Sequence, residues 1–274
     1  AQFTADGWFL RDVVGTVVST GSGGIPIAIP LLTKGTSETD GSNVDMNFFL
    51  GIDDATDVLM ADLEEGSGGT TPGLNHPVSG TTAIANGVWH HAAATYDGTT
   101  WGLYLDGNLE ATLAVGQPCQ SQSIQPAALA SSIRSNGTTA QGFFDGVLDE
   151  ARIWNVARSQ AEIQATANAQ IATPTTGLVA RWALDEGSGA AVNGSAGTSV
   201  DGTIVGANYT WVTPGAPFNL AFNLPPAQPS LTGPAHQATG IGANPTLDVG
   251  VSDADGGNLT VTYYGRPLTG GTPG

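Results

Sequence analysis

Only one lysine, Lys34, and one cysteine, Cys119, occur in the 274 residues of this chain. A lone cysteine excludes an internal disulfide and any metal site built from cysteine clusters, so stability has to come from packing or from a bound ion. Lysine and arginine together number 7 against 24 aspartates and glutamates, which leaves a net charge of -17. No basic surface is available to neutralise phosphates or anionic headgroups, and this sets nucleic acid and membrane surfaces aside as partners. The acids are spread along the chain, a pattern compatible with cation binding, with solubility in salty media or with plain colloidal stability. No apolar run approaches the roughly 18–20 residues of a membrane span, and the opening AQFTADGW has no basic stretch leading into an apolar one. The expectation is no membrane insertion and, if the protein is secreted, a leader already removed. Sequons at Asn136, Asn193, Asn208 and Asn258 are close to the roughly two or three that chance gives in a threonine-rich chain, so they do not decide the compartment.

What the chain has is glycine, 39 residues of it, with much threonine and short apolar runs. Together these favour many brief strands joined by turns. Strands are expected at residues 3–10, 27–33, 47–52, 58–63, 89–96, 100–105, 109–115, 127–133 and 144–154, separated by turn signals such as TDGSN, YDGTT, LDGN and SNGTTAQG. Asp97-Gly98 and Asp106-Gly107 predict tight hairpins, because glycine tolerates positive φ and aspartate bonds its own backbone. Trp101, Leu103 and Leu105 alternate along one strand and predict a filled core face. One helix stands out: Ser159 and Glu162 form a capping box ahead of AEIQATANAQI, which predicts about three turns bounded by Pro174, after which residues 178–184 return to strand. A proline-rich stretch over 218–238 reads as a linker, and the residues from 239 onward supply two strands around an Asp-rich turn.

The run GVWHHAAATYDGTTWGLYLDGNLEATLA (87–114) resembles the central hairpin of laminin-G-like, concanavalin A-like jelly rolls, and GFFDGVLDEARIWNVARSQAEIQA (142–165) resembles the strand and helix that follow it. FTADGWFLR and LLTKG are similar to that family's early core strands. The resemblance covers most of residues 1–217. It implies an all-β, antiparallel jelly-roll sandwich with one short surface helix. In such domains a segment like GLVARWALDEGSG comes first, yet here it lies after the helix, from Gly177. It either closes the same sandwich from the C-terminal side or begins a second one, and closure is favoured because an unpaired terminal edge invites aggregation. The tail, 239–274, is similar to an incomplete immunoglobulin-like module of the kind found between such jelly rolls and downstream enzymatic domains, which implies a fragment of a longer secreted protein.

Glycosidases on this fold need acid and nucleophile carboxylates on one strand face, about 5 Å apart for retention. Asp149 and Glu150 are neighbours and are expected to point to opposite faces, while Asp62, Glu64 and Glu65 run into a glycine-rich loop with no third carboxylate in register. The expectation is therefore a protein that is not an enzyme. His90 and His91, adjacent in a strand, should point apart and cannot share a metal. Cys119, in the polar loop GQPCQSQS, reads as a solvated thiol.

The resemblance implies a structural calcium near the acidic strand and the opening turn, which maps onto Asp149, Asp185 and Glu186. The alternative is that Asp149 bonds the backbone while Asp185 caps a turn. Asp253-Ala-Asp255-Gly256 resembles the start of a calcium loop but lacks the closing glutamate, so a tight turn is expected there. Five tryptophans fall in strands and read as core, which leaves Tyr209 and Trp211 as candidates for ligand stacking. The functional expectation is a secreted or cell-surface binding and adhesion module that recognises a glycan or an extracellular protein, with calcium as a structural ion. Two other readings stay open: a structural subunit that self-associates through edge strands, and a weak glycoside hydrolase.

Overall fold

Asp97 and Asp106 set the central hairpins. The Asp97 carboxylate accepts from the backbone N–H groups of Thr99 and Thr100 at 2.7 Å each, and Asp106 and Gly107 both take positive φ, 50° and 72°, as the tightest hairpin turns require. The computed structural model describes residues 1–171, 174–196, 200–222, 227–235, 239, 246–253 and 259–262. It divides into two units, Ala1–Leu220 and Ala221–Gly274.

In chain order the first unit holds β1 (Phe3–Arg11), β2 (Ala28–Lys34), β3 (Phe48–Asp53), β4 (Val58–Leu63), β5 (Val78–Ala83), β6 (Trp89–Tyr96), β7 (Thr100–Leu105) and β8 (Asn108–Ala114). There follow β9 (Ala127–Leu129), β10 (Ser131–Ile133), β11 (Ala140–Phe143), β12 (Gly146–Trp154), helix α1 (Gln160–Ala167), β13 (Leu178–Trp182), β14 (Ala191–Val192) and β15 (Gly202–Thr203). Six strands in the order β13-β12-β1-β6-β7-β8 form one sheet, and five in the order β5-β4-β3-β2-β9 form the other. Neighbours in both sheets are antiparallel. One core lies between them, where Phe3, Phe9, Tyr96, Trp101 and Leu103 of the six-stranded sheet meet Ile29, Phe48, Leu50 and Leu59 of the five-stranded one. The alternation expected for Trp101, Leu103 and Leu105 is present: all three are buried in that core.

The late segment closes the first sandwich, with β13 pairing along β12 as the edge of the six-stranded sheet. At the other rim, Glu110 of β8 accepts from the backbone of Thr81 and Thr82 on β5, at 2.8 and 2.9 Å, and so ties the two sheets together. β5, rich in glycine, serine and threonine and lacking an apolar face, and β11 are strands that the sequence reading omits. The stretch expected as one strand over 127–133 is broken at Ala130, which takes φ 59°.

Helix α1 is shorter than expected, eight residues, and carries the anticipated capping box: Ser159 Oγ accepts from Glu162 N, and Glu162 Oε2 accepts from Ser159 N at 2.8 Å. It lies over the outer face of the six-stranded sheet, where Trp8 Nε1 and Arg152 Nη1 donate to the last-turn carbonyls of Ala167 and Thr166. Cys119 is a correction: it is 4% exposed, not solvated, because its loop pairs against Glu65 and Gly66, and burial pushes the thiol up.

In the second unit β16 (Ser230–Gly233) and β17 (Asp248–Gly250) pair antiparallel. Most of the expected immunoglobulin-like module, including Asp255 and Gly256, lies outside the described residues. No helix among the described residues is long and apolar enough to cross a membrane.

Candidate functional site

Where β1 ends and β12 begins, the chain lies off the sheet and forms a cleft. Asp12 N donates to Asp145 O at 3.1 Å, while Thr16 and Phe143 exchange two backbone hydrogen bonds of 2.7 Å. Gly15 makes that approach possible: a Cβ there would sit 2.1 Å from Phe143 O, inside any tolerable contact. The result is an open cavity of about 270 Å³ bordered by Val14, Thr16, Phe143, Asp145 and Asn208. Phe143 and Phe144 are consecutive, so only one can enter the core. Phe144 does, beside Phe9, and Phe143 is left 50% exposed at the cleft.

Asn208 carries the site into the segment that contains the two expected stacking residues. Tyr209 Oη and Trp211 Nε1 both donate to the carbonyl of Gly189 at 2.9 Å. Tyr209 is 36% exposed, whereas Trp211 is half-buried and packs against the core, so the structure brings the pair to one acceptor without exposing both. Of the other five tryptophans, Trp8, Trp101, Trp154 and Trp182 are buried as expected and Trp89 is half-buried.

Two of the acids mapped to calcium, Asp149 and Glu186, accept backbone hydrogen bonds, while Glu186 Oε2 is buried without a partner. Asp149 Oδ2 accepts from Ala216 N at 2.7 Å. Burial raises its carboxyl above the usual range, with the charges of Glu150 and Asp185 adding to the rise. Glu186 Oε1 accepts from Asn193 N at 2.6 Å. Among the described residues no group of three or more His, Cys, Asp or Glu side chains could hold a metal ion. These three acids do not fit a calcium cage by themselves.

Asp149 and Glu150 depart from the expected opposite-face placement. Across from Gly7 the strand β12 carries an extra residue, and Glu150 takes φ 49° at that bulge. Both acids consequently turn outward. Glu150, fully buried, is bound by Arg152 and Arg181, and Asp149 lies opposite Trp8. The two histidines do point apart: His90 meets Asp106 at 2.8 Å and His91 meets Asp6 at 3.3 Å.

The sequence reading did not include Val14, Thr16, Phe143 and Asp145. The signal available was the Phe143-Phe144 pair, since strand alternation sends one of two adjacent aromatics outward.

A family model, the concanavalin A-like lectin/glucanases superfamily, matches residues 3–164. No curated protein matches the chain. Among solved structures, a candidate carbohydrate-binding protein of Bacteroides ovatus ATCC 8483 is 19% identical with a TM-score of 0.50, over 75% of this chain and 54% of that one. The chain thus spans about half the length of that protein. The CBM40 module of a Ruminococcus gnavus sialidase, bound to sialyllactose, is 19% identical over 60% of this chain and 81% of its own, with a TM-score of 0.41. A pentraxin from Limulus polyphemus is 15% identical over 74% of this chain and 82% of its own, with a TM-score of 0.45.

Proposed function

Because the chain belongs to the concanavalin A-like lectin/glucanases superfamily, we propose that it is a non-catalytic, extracellular glycan-binding module whose recognition surface is the cleft at Phe143. The observation that carries the reading is the pairing, in one open cavity of about 270 Å³, of an exposed aromatic ring with the polar side chains of Asp145, Asn208 and Thr16. A sugar has apolar C–H faces and polar edges, and an amphipathic cleft of this kind answers both. The volume is close to the lower end of small-ligand pockets, about 300–1,000 Å³, which suits one or two sugar rings. Tyr209, the residue after Asn208, is tethered to Gly189 and supplies a second partly exposed aromatic ring. The reading extends to this chain the role that the Bacteroides ovatus protein's name gives to that protein.

The test is a glycan array on the 274-residue chain followed by titration calorimetry of the hits, with Phe143→Ala as the probe. Loss of one central aromatic costs about 2 kcal/mol or more of binding, so affinity should fall at least about thirty-fold, while the melting temperature stays put because Phe143 is half exposed. Tyr209→Ala should weaken binding by less. The same titration in EDTA checks whether calcium takes part. An array without hits, or a Phe143→Ala protein that binds as the parent does, would falsify the proposal.

A further inference from the structure

The described cations are all committed elsewhere in the fold. Arg11 donates to Asp57, Asn86 and the carbonyl of Ile84 at 2.7–3.0 Å. Lys34 Nζ is held by the carbonyls of Ser123 and Gln125 at 3.1 and 2.6 Å. Arg134 pairs with Glu38 at 2.9 Å, and Arg152 and Arg181 share Glu150. Arg158 stacks 4.0 Å over the Trp154 ring and donates to Thr166 and to Glu162 O. Arg266 lies outside the described residues.

None of these six side chains borders the cleft, whereas an exposed carboxylate, Asp145, does. Asp12, also exposed, is joined to Asp145 through the backbone and adds a second carboxylate nearby. Recognition of a sugar carboxylate or sulfate needs an arginine fork or a lysine. A desolvated like charge in its place is costly.

Resting on the glycan-binding reading above, we propose that the cleft takes neutral and amine-bearing sugars and rejects acidic ones, with Asp145 as the residue that determines this selectivity. A protonated amino sugar in the cleft forms an ion pair with Asp145, while a sialic or uronic acid meets Asp145 with no compensating cation.

The experiment uses matched pairs of free oligosaccharides in calorimetry on the full chain: glycans with and without a terminal sialic acid, and glucosamine oligomers with and without their N-acetyl groups. Measurements are made at mildly acidic pH, where the amine is protonated. At low salt the sialylated member should bind at least about ten-fold more weakly than its neutral partner, and the difference should shrink as salt rises. The free-amine oligomer should bind about three-fold more tightly than its acetylated partner, the scale of a solvent-accessible ion pair. Asp145→Asn should abolish the amine preference and remove the salt-dependent penalty on the sialylated member, so that each matched pair binds with nearly equal affinity. Sialylated glycans that bind as tightly as their neutral partners, or an amine preference that survives in Asp145→Asn, overturn the selectivity while the glycan-binding reading stands. Absence of binding to every class overturns that reading itself, and the selectivity with it.

Discussion

The two sheets bury acids on their outer faces in opposite ways. Under α1, on the six-stranded sheet, Asp6 and Glu150 are buried together with Arg152 and His91, and the half-buried Arg181 also reaches Glu150. Burial pushes Asp6 up, but the His91 hydrogen bond and the charge of Arg152 outweigh it, and its carboxyl ends below the usual range. On the five-stranded sheet, Asp45, Asp62 and Glu64 are just as buried, and among the described residues no ion pair reaches them. Gly41 N lies 3.0 Å from Asp45 Oδ2 and 3.4 Å from Glu64 Oε1, so the two carboxyls stand side by side. Burial and then Asp45 push Glu64 up to about 10, and burial pushes Asp62 up to about 7. In a fold this short of cations, burial beside Arg152 and His91 leaves Asp6 below the usual carboxylate range, whereas burial without a cation raises Asp62 and Glu64 above it.

The contrast breaks most visibly at Arg152. Replacing it with methionine leaves Glu150 and Asp6 buried with a lost partner, and the cost of breaking such a buried network is about 3–5 kcal/mol. It also removes the donors to Thr166 O and Ala169 O that hold the end of α1 on the sheet. Asp62→Asn on the other face should cost less than about 1 kcal/mol near neutral pH, because the amide copies a carboxyl that is already largely neutral below pH 7. Urea unfolding of both variants checks the ranking, and equal costs would contradict the division into ion-paired and protonated faces.

Most of this framework was legible in the sequence, and the exceptions have a common cause. The hairpins at Asp97-Gly98 and Asp106-Gly107, the core face of β7 and the capping box at Ser159 depend on neighbours a few residues away, so local chemistry reveals them. The bulge at Glu150 does not, since the carboxylate it presents meets Arg152 and Arg181 from two different strands. The cleft was equally hidden. Gly15 and Phe143 are 128 residues apart, and only the folded chain shows that the glycine is what lets the two segments touch. Cys119 failed for the same reason: its polar loop is buried by a bridge to Glu65 that no local pattern announces. Tyr209 and Trp211 stand out in the sequence as late aromatics outside strands, whereas their shared acceptor, Gly189, carries no local signal.

Alkaline titration sharpens the comparison next. Folded Glu64 keeps its proton up to about pH 10, whereas the unfolded chain releases it near the ordinary carboxyl value of 4.5. Between those values the native state binds more protons, so this group's contribution is full at low pH and is lost as pH rises. Asp62 adds the same sign up to about pH 7. Asp6 runs the other way, with stability present above its unfolded value and lost as pH falls through its lowered one. Above pH 7, unfolding free energy should therefore drop by about 1 kcal/mol per pH unit, chiefly through Glu64. Glu64→Gln should flatten that limb while leaving stability near pH 5 unchanged, and a variant with the parent's alkaline slope would assign the proton elsewhere.

A small and local effect is expected at the helix cap. Ser159→Ala removes the acceptor for Glu162 N and the hydroxyl donor to the Glu162 carboxylate, which keeps only the backbone N–H of residue 159, a loss of about 1 kcal/mol. Its use lies in combination. Ser159 belongs to the ion-paired face and Asp62 to the protonated one, with two sheets about 10 Å apart between them. Sites so separated and sharing no partner add within about 0.5 kcal/mol. Ser159→Ala combined with Asp62→Asn should accordingly cost the sum of the two single changes in urea unfolding. A larger coupling would mean that the core transmits strain between the sheets and that the two faces do not settle their charges independently.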